Sequence, residues 1–146
     1  MRIALFSDIH SNREALDACL AQAARRGVDQ SIFLGDLVGY GADPAYVIDR
    51  VRREIERGGL ALRGNHDQAA VSGDDGRMND YARASAGWTA RALDDEARDF
   101  LASLPLTIED GDCLFVHSDA SDPAGWLYVS DEASAERSLF ATQKRM

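Results

Sequence analysis

Short apolar runs alternate with helical stripes through the first half of the chain. Residues 2–6, Arg-Ile-Ala-Leu-Phe, have the length and composition of a buried strand. Ser11 stands three residues before Glu14, the spacing of a capping box that opens a helix. Leu16, Cys19, Leu20 and Ala23 then recur at helical spacing, and Gly27 supplies the stop. Residues 31–34, Ser-Ile-Phe-Leu, predict a second strand closed by Gly35-Asp36. Asp43-Pro44 is a cap followed by proline at the first helical position. Val47, Ile48, Val51 and Ile55 form the apolar stripe of that helix, which Gly58-Gly59 ends. Residues 60–63 predict a third strand, ended by Gly64-Asn65-His66-Asp67. Strand, helix, strand, helix, strand implies a parallel sheet with right-handed crossovers.

The second half changes character. Residues 72–79 are rich in Gly, Asp and Asn and predict a loop. Two helices follow, near 80–92 and 94–104, the second stopped by Pro105. Residues 106–109 and 113–116 flank Asp110-Gly111 as a hairpin whose last strand runs into His117-Ser118. A loop with Asp122-Pro123 and Trp126 leads to a helix near 130–141. No internal repeat, linker or low-complexity stretch divides the chain, so residues 1–146 are expected to form a single α/β domain.

Composition narrows the possibilities. With 16 Lys and Arg against 25 Asp and Glu, the formal charge of the 146-residue chain is −9. That charge, with no local basic cluster, argues against non-specific binding to nucleic acid. No apolar run approaches the roughly 20 residues of a membrane span. The N-terminal run is too short for a signal-peptide core. Cys19 and Cys113 lie far apart and outside any metal spacing, which predicts two reduced core thiols and a cytoplasmic protein.

The chemistry concentrates at strand ends. The chain has 3 histidines, His10, His66 and His117, and each follows a predicted strand. Asp8-x-His10, Asp36, Asn65-His66-Asp67 and His117 thus come from four separate turns. A single histidine after a strand is ordinarily a surface residue, but ligands of open α/β sheets bind outside the strands' carboxyl ends. Four turns carrying imidazole, carboxylate and carboxamide at one rim point to metal binding. Such donors suit borderline first-row ions better than Ca²⁺. One shared Asp can bridge two cations about 3.5–4 Å apart, a pair suited to clamping an in-line displacement at phosphorus. A water held there, its pKa lowered from about 15.7 towards about 7, would be the nucleophile. The glycines at 35, 39 and 41 match neither a Walker loop nor a dinucleotide fingerprint. Tyr40, Arg63 and Trp126 are candidates to line the pocket, with packing the expected role of each.

The segments Asp8-Ile9-His10, Gly35-Asp36-Leu37-Val38-Gly39-Tyr40-Gly41, Arg63-Gly64-Asn65-His66-Asp67 and Phe115-Val116-His117-Ser118 together resemble the calcineurin-like metallophosphoesterases, in particular the small prokaryotic phosphodiesterase-like branch. The resemblance runs from residue 1 to about 130. It implies an αββα fold, two sheets packed face to face with helices outside. It implies two divalent ions (Mn, Fe, Zn or Ni), one held by Asp8 and His10 and the other by Asn65 and His117, with Asp36 bridging. His66 would be the general acid and Asp67 would orient it. Phosphate monoesters, diesters, cyclic nucleotides and phosphoproteins all suit such a site.

The family has a further Gly-His-x-His turn, which this sequence does not contain. On that comparison the C-terminal part of the fold is missing and each ion has at most three protein ligands. An exposed sheet edge, covered by a second copy, is the accompanying expectation. Two functions follow: a metal-dependent phosphoesterase, impaired in this form or completed by another chain, or a non-catalytic scaffold of the same fold that self-associates.

Overall fold

The computed structural model describes residues 1–73 and 78–143. The centre of the loop expected at 72–79 lies outside the described residues. Strands β1 (Ile3–Phe6), β2 (Gln30–Phe33) and β3 (Leu60–Ala61) form a parallel sheet in the order β1-β2-β3. Helices α1 (Arg13–Arg25) and α2 (Pro44–Glu56) make the two crossovers. Then come α3 (Asn65–Ser72), α4 (Asp80–Ala92) and α5 (Asp95–Ser103), which precede the antiparallel hairpin of β4 (Thr107–Asp110) and β5 (Cys113–Val116). A short 3₁₀ turn at Pro123–Gly125 leads to α6 (Glu132–Gln143). Two sheets with helices around them match the expected fold class. No helix among the described residues is long and apolar enough to cross a membrane.

The central strand β2 carries the core. Ile32 and Phe33 are wholly buried, and the Phe33 ring stacks on Phe6 at 4.9 Å between centroids. Register pairs Ile3 with Gln30 and Phe6 with Phe33, so all three strands end at one rim. Val47, Ile48 and Val51 of α2 close over the sheet, as the apolar stripe requires. Pro44 occupies the first turn of α2, where a missing N–H leaves no bond unmade.

The structure departs from the sequence expectations at several places. The cap of α1 is Asn12 rather than Ser11: its side chain accepts the Ala15 N–H at 2.9 Å. Ser11 has a left-handed backbone (φ 56), and its buried hydroxyl has no hydrogen-bond partner. Residues 65–72, with 65–67 expected as a turn and 72 as the start of a loop, form α3, because the Asp67 carboxylate folds back to accept the Gly64 N–H at 3.0 Å. The hairpin turn sits one residue later than expected, at 111–112, with Gly111 in the left-handed region (φ 58). Both cysteines are exposed and free rather than core thiols. Only Leu16 and Leu20 are fully buried on α1, so Cys19 falls at the edge of the stripe, and Cys113 opens β5 beside the turn.

The capping assignment is testable by urea denaturation. Asn12→Ala should lower stability by about 1 kcal/mol. Ser11→Ala, which removes an unpaired hydroxyl, should stay within about 0.5 kcal/mol of the parent. The opposite ranking would return the cap to Ser11.

Candidate metal centre

The segments after β1 and β2 run side by side, joined through their backbones. Asp8 N–H donates to Gly35 O at 3.2 Å, His10 N–H to Asp36 O at 2.9 Å and Ser11 N–H to Leu37 O at 2.9 Å. Asp8, His10, Ser11, Asp36 and Tyr40 all hold positive φ between 50 and 58°. Non-glycine residues adopt that region at a cost of order 1–3 kcal/mol each, and they do so most often at functional sites. At Gly35 (φ +93) a Cβ would lie 2.6 Å from Gly64 N and 2.9 Å from His117 Nδ1, so only glycine lets the third and fourth donor segments approach.

These turns bring the expected donors together. His10 Nε2 lies 3.7 Å from Asp8 Oδ1 and 3.8 Å from Asp36 Oδ2. His117 Nε2 lies 3.4 Å from Asp36 Oδ2 and 3.2 Å from Asn65 Oδ1. Asp36 is 3% exposed, and its Oδ1 accepts the His66 N–H at 2.8 Å. Two sets of ligand atoms fall within 4.8 Å of one another: His10, Asp36 and His66, and Asp8, Asp36 and His117. Asp36 belongs to both. The sets differ from the ones the resemblance implies, because His66 sits within ligand reach of His10 and Asp36, and Asp8 also reaches the His117 side.

The rings are aimed by the backbone. His10 Nδ1 faces Val38 O at 3.1 Å and His117 Nδ1 faces Leu34 O at 2.8 Å. A carbonyl can only accept, so each Nδ1 carries a hydrogen and each Nε2 is turned towards Asp36. Burial works against charge on His117, but the bond to Asp36 outweighs it and the imidazole pKa is pushed up to about 9. Burial likewise opposes the Asp36 charge, and His117 overrides it, holding the carboxyl below its ordinary value. His66 moves the other way: desolvation pulls its pKa down despite Asp36. Imidazole nitrogens and carboxylate oxygens around one buried anion fit a borderline divalent cation, which would replace the proton that Asp36 and His117 share. The His66 Nδ1 is buried and has no hydrogen-bond partner.

Asp67 does not orient His66. Its wholly buried carboxylate accepts the Val38 N–H at 3.0 Å and the Gly64 N–H at 3.0 Å, so it staples the Gly64 turn to the segment after Asp36. Burial and the Asp36 charge push its pKa up to about 7 against those bonds. The His66 ring is instead held by packing, 4.6 Å from the Tyr40 ring and 4.9 Å from the His10 ring. At Gly39 (φ +93) a Cβ would stand 2.8 Å from His66 Nδ1, so that glycine makes room for the ring. Tyr40, expected in packing, is 54% exposed and also lies edge-on to His10. Trp126 lies edge-on to His117 at 6.2 Å. Arg63 keeps a structural role, donating to Ala102 O at 3.1 Å. Tyr40 and Trp126 thus take the pocket-lining place that the sequence offered as the alternative to packing.

The family model for calcineurin-like phosphoesterases matches residues 1–142. An uncharacterized protein of Methanocaldococcus jannaschii is 36% identical over 132 residues, 87% of this chain and 53% of that protein. The crystal structure of a metallophosphoesterase from Sphaerobacter thermophilus superposes with a TM-score of 0.81 at 36% identity, over 97% of this chain and 56% of that one. A hypothetical protein from Pyrococcus horikoshii OT3 shares the fold, with a TM-score of 0.67 at 24% identity over 74% and 49% of the two chains. The chain spans about half the length of the relatives it matches. With a match over nearly its whole length, the chain belongs to the calcineurin-like phosphoesterase family.

Proposed function

We propose that this chain forms the core of a metal-dependent phosphoesterase. Asp8, His10, Asp36, Asn65 and His117 hold two divalent cations (Mn, Fe, Zn or Ni), with Asp36 shared, and the substrates are phosphate mono- or diesters. The observation that carries the reading is the place of Asp36 in both ligand sets. When bound, the cations supply positive charge for the phosphate and acidify a water.

The chain's own residues do the rest. Asp36, desolvated and paired, anchors both sets. His10 and His117 present Nε2 because Val38 and Leu34 carbonyls hold their other nitrogens. Asn65 offers a neutral oxygen 3.2 Å from His117 Nε2, which adds a ligand without adding charge. His66 Nδ1 is buried against Gly39, so Nε2 is the nitrogen that donates a proton to the leaving oxygen. Asp67 is a positioning residue, acting through the backbone of the Gly64 turn. Two free thiols at the surface suit a reducing compartment, and we place the protein in the cytoplasm on that ground.

The reading is tested by metal analysis and by hydrolysis of p-nitrophenyl phosphate and bis(p-nitrophenyl) phosphate with each of the four ions. Turnover stimulated by at least one ion is expected; none with any would reject it. Asp36→Ala should abolish binding of both ions, and two ions per chain retained in that variant would refute the shared bridge. His66→Ala should keep its metal and lose about 10²–10⁴ in turnover, most with a poor leaving group. Unchanged rates would remove His66 from proton transfer.

Protonation supplies a further expectation. Metal must displace the proton that His117 holds up to about pH 9. Metal uptake below that pH should therefore release close to one proton, and affinity should rise by about tenfold per pH unit towards 9. Calorimetry in buffers of different ionisation enthalpy reads the proton directly. Without metal the sign is reversed for folding. The raised His117 pKa stabilises the fold fully below about pH 6.5, and that contribution is lost as pH climbs through about 9.

A further inference from the structure

Beside the candidate metal centre the surface opens into a cavity of about 250 Å³. Asn65 and His117 form one wall, and the segment from Trp126 to Val129 forms the other. The cavity therefore shares two of its wall residues with the proposed ligand set. Its far wall is of another character: Trp126, Leu127, Tyr128 and Val129 present apolar and aromatic surface. Tyr128 is 84% exposed and Val129 47% exposed. An exposed apolar patch rimmed by polar groups is a feature of ligand grooves and interaction surfaces.

The segment is built rather than loose. Trp126 follows the 3₁₀ turn with a left-handed backbone (φ 52, ψ 38), a conformation in which non-glycine residues are uncommon. The turn before it is anchored by wholly buried Asp119, whose carboxylate accepts the Ser121 N–H at 2.8 Å and lies 3.8 Å from Arg137. Asp119 N–H donates to Leu127 O at 3.2 Å, which fixes the far wall itself. The Trp126 ring is thereby set edge-on to His117.

We propose that this cavity is the subsite for the ester group of the substrate, and that Trp126 and Tyr128 select phosphate esters carrying a flat aromatic ring. The inference rests on the function proposed above, since it places the phosphate at the Asp and His donors and the ring against Trp126. The space is adequate, because a cavity of about 150 Å³ already holds benzene. An aryl or heteroaryl ring can lie against the indole and the phenol, whereas a small alkyl group leaves both faces wet. The sequence admits many phosphate esters; the cavity favours those whose aromatic ring is joined directly, or through one carbon, to the ester oxygen.

Non-hydrolysable phosphonates separate the ring from the leaving-group chemistry. Phenylphosphonate and methylphosphonate, titrated calorimetrically into the metal-loaded protein, should both bind, the phenyl compound about tenfold more tightly. Trp88→Phe leaves Trp126 as the sole tryptophan. In that variant phenylphosphonate should shift the fluorescence and methylphosphonate should leave it nearly unchanged. Tyr128→Ala, a change at an exposed side chain, and Trp126→Leu should each cut the phenyl preference at least threefold while methylphosphonate still binds, which also shows that the centre is intact. Equal affinity of the two phosphonates in the parent, or a preference untouched by both substitutions, would overturn the subsite and leave the phosphoesterase reading standing. Failure of the metal-loaded protein to bind either phosphonate would overturn both.

Discussion

A carboxylate removed from water must be met by hydrogen bonds or opposite charge, and Asp36 is such a group. One oxygen takes the His66 backbone N–H, and the other faces two imidazoles that reach it from different parts of the chain. Everything at the rim is arranged around satisfying that single anion. The segment after β1 is bonded alongside it, the Gly64 turn is pressed against it, and His117 is brought down from the second sheet. An isolated buried charge is expensive, so the native state is consistent only when all of these pieces are in place.

The backbone does much of this positioning. The Leu34 and Val38 carbonyls, on either side of Asp36, each hold one histidine by Nδ1. One segment, residues 34–38, therefore supplies the central carboxylate and also orients two of its partners. Asp67 returns the favour by binding the Val38 N–H. The left-handed residues of the rim are held by these bonds, and the result is a site whose donors need little rearrangement to accept a cation.

The rim was legible in the sequence because strand ends and chemistry coincided: Asp8, His10, Asp36, Asn65 and His117 each follow an apolar run, and the parallel sheet puts the first four together while the hairpin delivers the fifth. Residue roles that depend on the local direction of a side chain were not legible. Asp67 follows His66 directly, yet in α3 its carboxylate turns back to the Gly64 N–H, a geometry that appears only once residues 65–72 are known to be helical. Ser11 has the spacing of a cap, but its left-handed backbone hands that role to Asn12. The cysteines looked like core residues because period alone does not say how wide a buried stripe is; on α1 only Leu16 and Leu20 are fully covered. Trp126 could be read only as one of several candidates for the pocket and Tyr128 gave no signal, since their place depends on a loop held by Asp119 and Arg137 rather than on any repeat.

His117 contacts Leu34 across 83 positions of chain. Closing so long a loop is entropically slow compared with forming the local crossovers of the three-stranded sheet. A nascent or partly folded chain can thus assemble Asp8, His10, Asp36 and Asn65 on the first sheet before the hairpin arrives. The last imidazole then acts as a latch: its docking on the Leu34 carbonyl completes the set of donors around Asp36.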